Sequence, residues 1–121
     1  MAHILIVDDS ATERHYLKTF LAKNGYDITE ARSGEEGIRT ARNVKPDLIL
    51  MDVVMPGMNG FQATRQLSKT AETSAIPVVI VTTKNQQADK VWATRQGAKG
   101  FISKPVDTDD LLHSIRSFLS S

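Results

Sequence analysis

Four short apolar runs decide what this chain can fold into. Ile4-Leu5-Ile6-Val7, Leu48-Ile49-Leu50-Met51 and Val78-Val79-Ile80-Val81 are too short for typical helices and too continuous for strands with one wet face; Phe101-Ile102-Ser103 is a shorter fourth. Runs of this length and β-branched content read as strands covered on both faces, as in a parallel sheet. Each run ends on polar residues of a kind that handles phosphate: Asp8-Asp9, Asp52, Thr82 and Lys104-Pro105. Parallel strands put their carboxyl ends along one edge of the sheet, where open α/β sheets bind ligands. Three carboxylates, a hydroxyl and an ammonium are therefore expected to converge there.

Between the runs the period changes to that of helices, giving alternating strands and helices and an α/β class. Ser10 with Glu13 is a capping-box pattern for a first helix, with Leu17, Phe20 and Leu21 on its inner face and Gly25 closing it. Tyr26 to Ala31 is more polar and alternating, which fits an edge strand. Ser33 with Glu36 repeats the capping pattern before a second helix carrying Ile38, Ala41 and Val44. After Asp52, Met55 to Gly60 reads as a turn-rich loop, followed by a third helix with Phe61, Thr64 and Leu67 on one side. Ser68 to Ala75 reads as a polar connection into the Val78 strand. The fourth helix, near Gln86 to Gln96, is the least hydrophobic, with Ala88, Val91 and Trp92 as its main apolar residues. Asp107 is a natural N-cap for a last helix with Leu111, Leu112, Ile115, Phe118 and Leu119 in one stripe.

A chain of 121 residues supports one domain, expected to span 1–121 without linker or output domain. A net charge of +1 with dispersed basic residues gives no nucleic-acid footprint. The absence of cysteine excludes disulfides and thiolate metal sites and suits a reducing compartment. No apolar stretch approaches a membrane span, and Asp8-Asp9 interrupt any signal-peptide pattern. A cytoplasmic location is the expectation.

Asp8, Asp9 and Asp52 cannot crowd together as bare anions, because like charges a few ångströms apart raise one another's pKa. A divalent cation relieves the repulsion, and oxygen-only ligands suit magnesium. A carboxylate can also be the nucleophile toward phosphorus, with magnesium on one side and the Lys104 ammonium on the other neutralising the transferred group. The Thr82 hydroxyl would bond one of its oxygens. Each element alone has a plainer explanation as a turn, cap or strand-end residue; the ordered set does not.

That ordered set, Asp8-Asp9, Asp52, Met55-Pro56-Gly57, Thr82 and Lys104-Pro105, resembles the receiver domains of bacterial two-component response regulators, the single-domain class typified by the chemotaxis protein CheY. The resemblance covers essentially the whole chain. It implies a flavodoxin-like doubly wound parallel sheet of five strands, order 2-1-3-4-5, with five helices. It also implies a phosphoacceptor at Asp52 supplied by a histidine kinase, and magnesium held by Asp9, Asp52 and the Val54 carbonyl, with Asp8 acting through water. The Lys104-Pro105 bond is expected to be cis. Such a chain is a switch, with at most self-catalysed phosphorylation and dephosphorylation, and no turnover enzyme.

Three positions depart from the chemotaxis pattern. Phe101 stands where many members carry Tyr; it is either the ring that follows Thr82 in the switch or an ordinary half-buried strand residue. Val54 replaces an amide and Lys84 an acid beside the expected path of the attacking water, so both are expected to tune the lifetime of the phosphoryl group, unless Val54 only shields the site and Lys84 only faces solvent. Trp92 is either core filler or an anchor on the face of the last two helices and Phe101. His3, His15 and His113 read as surface or boundary residues.

A finer resemblance, carried by Gly60 to Leu67, Thr82-Thr83-Lys84 and Lys104 to Asp107, is to the PilH-type regulators of type IV pilus twitching motility. It implies a CheA-like histidine kinase as phosphodonor and a pilus-motor or signalling target, with the chain itself a monomer acting by contact or as a phosphate sink. Two other classes fit the sequence less well. A haloacid-dehalogenase-type phosphatase needs a second Asp where Val54 stands, and a flavodoxin needs a hydroxyl- and Gly-rich loop where Asp8-Asp9-Ser10-Ala11 stand.

Overall fold

The computed structural model of the chain describes residues 1–119. Ser120 and Ser121, the end of the expected 1–121 domain, lie outside the described residues. Strands β1 (His3–Val7), β2 (Asp27–Ala31), β3 (Leu48–Met51), β4 (Val78–Thr82) and β5 (Gly100–Ser103) alternate with helices α1 (Ala11–Lys23), α2 (Gly34–Val44), α3 (Gly60–Lys69), α4 (Gln87–Arg95) and α5 (Thr108–Leu119). The strands form one sheet in the order β2-β1-β3-β4-β5, and every pair is parallel. Fold class, strand order and helix number agree with the expectation from sequence.

Period-two alternation sends each strand's side chains to two separate cores. Leu5, Val7, Ile49, Met51, Val78 and Ile80 pack with Ala41 of α2, Phe61, Ala63 and Leu67 of α3 and Ala93 of α4. Ile4, Ile6, Leu48, Leu50, Val79 and Val81 pack with Leu17 and Leu21 of α1 and Leu111 and Ile115 of α5. Each fully buried Leu or Ile contributes about 1.5–3 kcal/mol relative to exposure. The central strands are apolar on both faces because both faces are covered. β2 reads polar because it is an edge, with its first residue exposed and only Ala31 fully buried.

The capping signals are half kept. Ser10 Oγ accepts from the Glu13 amide and Ser33 Oγ from the Glu36 amide. The returning half differs: the Glu36 carboxylate accepts from the Arg32 amide, and Glu13 turns toward Lys104. A complete box lies at α3, where Asn59 and Gln62 exchange both bonds at 2.9 Å, a pattern hidden in the turn-rich segment. Ser68 and Lys69 belong to α3, and Thr73 in the following connection is buried, its hydroxyl donating to the Leu67 carbonyl. α4 settles the alternatives left open for Trp92. Its main apolar residues, Ala88, Val91 and Trp92, all face solvent, and only Ala93 is buried. A helix held by one small side chain is the least anchored of the five. Among the described residues, no helix is long and apolar enough to cross a membrane.

Gly60 begins α3 directly against the end of β3, and a Cβ there would collide with the Asp52 carbonyl oxygen and lie 2.8 Å from Val53 Cα. The obstacle is backbone, so it cannot rotate away. Gly60→Ala is expected to cost about 1–3 kcal/mol of unfolding free energy in urea, whereas Ala at exposed Gln66, whose side chain caps nothing, should be within about 0.5 kcal/mol of wild type.

Candidate functional site

The strand ladder continues just past the strands and sets the acidic residues side by side. The Asp8 amide donates to the Ala31 carbonyl at 3.1 Å, and the Asp52 amide to the Val7 carbonyl at 2.9 Å. Asp8 and Asp52 are buried while Asp9 is exposed. One carboxylate oxygen from each of Asp8, Asp9 and Asp52 lies within 4.8 Å of the others. Asp8 Oδ1 accepts from the Ser10 amide and Asp52 Oδ1 from the Val53 amide, both at 2.9 Å.

Lys104 reaches this cluster from the far end of the sequence. Its amide donates to the Thr82 carbonyl at 2.8 Å, which extends the β4–β5 ladder by one rung. Its ammonium bonds Asp8 Oδ2 at 2.9 Å and lies 3.8 Å from both Asp52 Oδ1 and Glu13 Oε2. The Lys104–Pro105 peptide bond is cis. Burial alone depresses the Lys104 pKa, but the Asp8 hydrogen bond and the charges of Asp52, Asp8 and Glu13 outweigh it and hold the pKa above its usual value. Burial dominates at Asp52 and raises its pKa. Lys104 opposes the rise, the Asp8 charge adds to it, and the Val53 N–H and Thr82 hydroxyl oppose it more weakly.

Thr82 is fully buried at the end of β4, and its Oγ1 accepts from the Lys84 amide at 3.3 Å. Phe101, opposite Ile80 in the β4–β5 register, is half-buried against the α2–α4 core, with the Lys90 ammonium 6.0 Å from the ring centroid. Val54 is 59% exposed beyond β3. The Lys84 ammonium lies 3.8 Å from Asp89 Oδ1, an exposed pairing at the start of α4. Trp92 is 49% exposed on α4, which excludes the core-filler alternative. His3 Nε2 is 2.6 Å from the Thr29 hydroxyl, and His15 and His113 are exposed, all away from the cluster.

Sequence reasoning missed three residues beside the site. Glu13 was visible only as half of a capping pattern. Arg14, on the same turn, bonds the Asp8 carbonyl at 2.7 Å. Tyr16 joins Thr12, Glu13, Lys104, Pro105 and Val106 around a depression of about 270 Å³ next to the ammonium. A partner four residues or more away on a helix face could have flagged Tyr16; nothing local could have paired Arg14 with a strand-end carbonyl.

The donor set is hard oxygen only and clustered within reach of one ion, so the residues fit a hard divalent cation such as magnesium. In its absence Lys104 is the main countercharge. Because the folded pKa of Asp52 lies above its unfolded value, the folded state holds a proton the unfolded state has lost, so stability falls as pH rises through that window. Asp52→Asn is thus expected to melt higher than wild type at pH 7 in chelator, by about 4 °C or more per kcal/mol relieved. Adding magnesium should raise the melting temperature of wild type more than that of the variant.

Known proteins place this geometry. Residues 4–116 match the family model of the response regulator receiver domain. Protein PilH of Pseudomonas aeruginosa is 58% identical over 99% of both chains. The chemotaxis protein CheY4 of Vibrio cholerae superposes with a TM-score of 0.93 at 30% identity, covering 98% of this chain and 99% of that one. The receiver domain of a sensor histidine kinase from Pseudomonas aeruginosa, with a magnesium ion coordinated in its active site cleft, superposes with a TM-score of 0.91 at 25% identity, covering 99% of this chain and 98% of that one.

Proposed function

Because the chain belongs to the response regulator receiver domain family, we propose that it is a phosphoacceptor switch of the PilH type, with Asp52 as the residue phosphorylated. The observation that carries this reading is the meeting of Asp8, Asp9 and Asp52 with Lys104 and Thr82 at one sheet edge. Asp8, Asp9 and Asp52, with the Val54 carbonyl, would hold magnesium, which supplies positive charge against the oxygens of the transferred group. The chain's own residues do the rest. An Asp52 carboxylate oxygen attacks phosphorus as the bond to the kinase histidine nitrogen breaks, giving an aspartyl phosphate. Lys104 neutralises a phosphoryl oxygen, which requires its ammonium to turn from Asp8 toward Asp52. The Thr82 hydroxyl bonds another oxygen and gives up the Lys84 amide. Space vacated by Thr82 on the α4 side of the sheet lets Phe101 turn inward.

The phosphodonor of this reading is a CheA-like histidine kinase in the cytoplasm, and the pathway is type IV pilus twitching motility, which the 58% identity to PilH supports. Output goes by protein contact through the α4, Phe101 and α5 face, where Val91 and Trp92 are exposed, or by draining phosphoryl groups as a sink. Signal decay is self-catalysed. Val54 cannot orient a water and Lys84 is drawn toward Asp89, so hydrolysis is slow.

Incubation with magnesium and acetyl phosphate followed by intact mass measurement is the test. Wild type should gain one hydroxylamine-sensitive phosphoryl group and Asp52→Asn none; equal labelling of the two overturns the assignment. Val54→Asn should shorten the lifetime of the label severalfold, short of the about 10²-fold that a full general base contributes.

A further inference from the structure

Among the described residues, Arg14 is the one cation beside the site that the proposed reaction leaves unused. It sits in the first turns of α1, the positive end of the helix dipole, where a cation is disfavoured. Its side chain is nevertheless only 11% exposed. The guanidinium bridges two places: Nε donates to Glu30 Oε1 on β2 at 3.2 Å, and Nη1 donates to the Asp8 carbonyl at 2.7 Å. Glu30 stands opposite Ile6 in the β1–β2 register and also draws Lys18, at 3.4 Å.

The carbonyl that Arg14 holds belongs to the Asp8–Asp9 peptide plane. Two contacts thereby clamp the turn. The Ser10 amide fixes the Asp8 side chain and Arg14 fixes the plane that follows it. Asp9 needs this most. Among the described residues the Asp8 and Asp52 carboxylates are tied by hydrogen bonds, whereas the Asp9 side chain has no hydrogen bond or ion pair, so its direction is set by the backbone alone. A fork of fixed geometry suits such a clamp in a way an ammonium cannot, since one planar group satisfies a carbonyl and a carboxylate at once.

We propose that Arg14 is a positioning residue for the cation site: held by Glu30, it orients the Asp8–Asp9 peptide so that the free Asp9 carboxylate faces Asp8 and Asp52. This rests on the magnesium reading above. The plainer role, a tie between α1 and β2, changes stability and leaves cation affinity alone. Electrostatics separates the two further. A guanidinium near a cation site repels the incoming ion, so removing its charge should tighten magnesium binding if Coulomb effects alone operate. A positioning role has the opposite sign.

The experiment is calorimetric titration of magnesium chloride into the metal-free wild type, Arg14→Gln and Arg14→Lys, with urea unfolding of each in chelator to establish that it is folded. Arg14→Gln should bind magnesium about tenfold more weakly, the scale typical of lost outer-shell support. Arg14→Lys should also bind more weakly although its charge is kept, and it decides the matter alone if the glutamine variant does not fold. Unchanged affinity in the folded variants, or tighter binding in Arg14→Gln, overturns the proposal. A wild type that shows no saturable magnesium binding overturns the magnesium reading itself, which distinguishes the two failures.

Discussion

Everything at the working edge of this molecule depends on one ammonium placed against two buried carboxylates. Lys104 bonds Asp8 at 2.9 Å and stands 3.8 Å from Asp52, and among the described residues neither carboxylate has another side-chain cation at such range. Burying anions without compensation costs several kcal/mol each. The site is therefore a partly compensated charge cluster, with a raised pKa at Asp52 and room for more positive charge. An ion or a phosphoryl group changes that balance directly, so the free energy of binding and of folding are linked at this corner.

The cluster exists because the sheet is parallel and doubly covered. Asp8 and Asp52 follow neighbouring strands and are pulled level by the same hydrogen-bond ladder that pairs those strands, and Lys104 is pulled level with Thr82 in the same way. Site geometry is thus a continuation of sheet geometry. A slip of one rung would move the carboxylates apart and also invert the two apolar faces, which the cores on either side forbid. Gly60 adds a third constraint: α3 begins close enough to the Asp52 backbone that no side chain fits between them.

The legible part of the sequence was what repeated with a period or ended a run. The four apolar runs, the helix caps at Ser10, Ser33 and Asp107, and the strand-end positions of Asp8, Asp52, Thr82 and Lys104 all follow from local pattern plus parallel topology. The misread parts involve partners distant in sequence. Trp92 read equally as core filler or as an anchor because α4 has too few apolar residues to show an inner stripe; the structure buries Ala93 and leaves Trp92 exposed. Glu13 looked like a capping partner because the competing cation, Lys104, lies at the other end of the chain. Arg14 carried no signal at all, since its value lies in a carbonyl.

The weak anchoring of α4 becomes intelligible beside Thr82. The hydroxyl that the proposed reaction recruits accepts from the Lys84 amide, and the Lys84 ammonium lies near Asp89 in the first turn of α4. Asp89 in turn accepts from the Gln86 amide and so fixes where the helix starts. Turning Thr82 toward a phosphoryl oxygen gives up the first of these contacts and frees the segment that feeds α4. On the other side Phe101 packs in the same core as Ala93, with Lys90 over its ring. A helix carrying a large buried stripe would resist both movements, because each buried Leu or Ile displaced costs about 1.5–3 kcal/mol. α4 has Ala93 alone, so in the proposed switch a few hydrogen bonds at Thr82 would be of the right size to shift it, and the exposed Val91 and Trp92 lie on that helix.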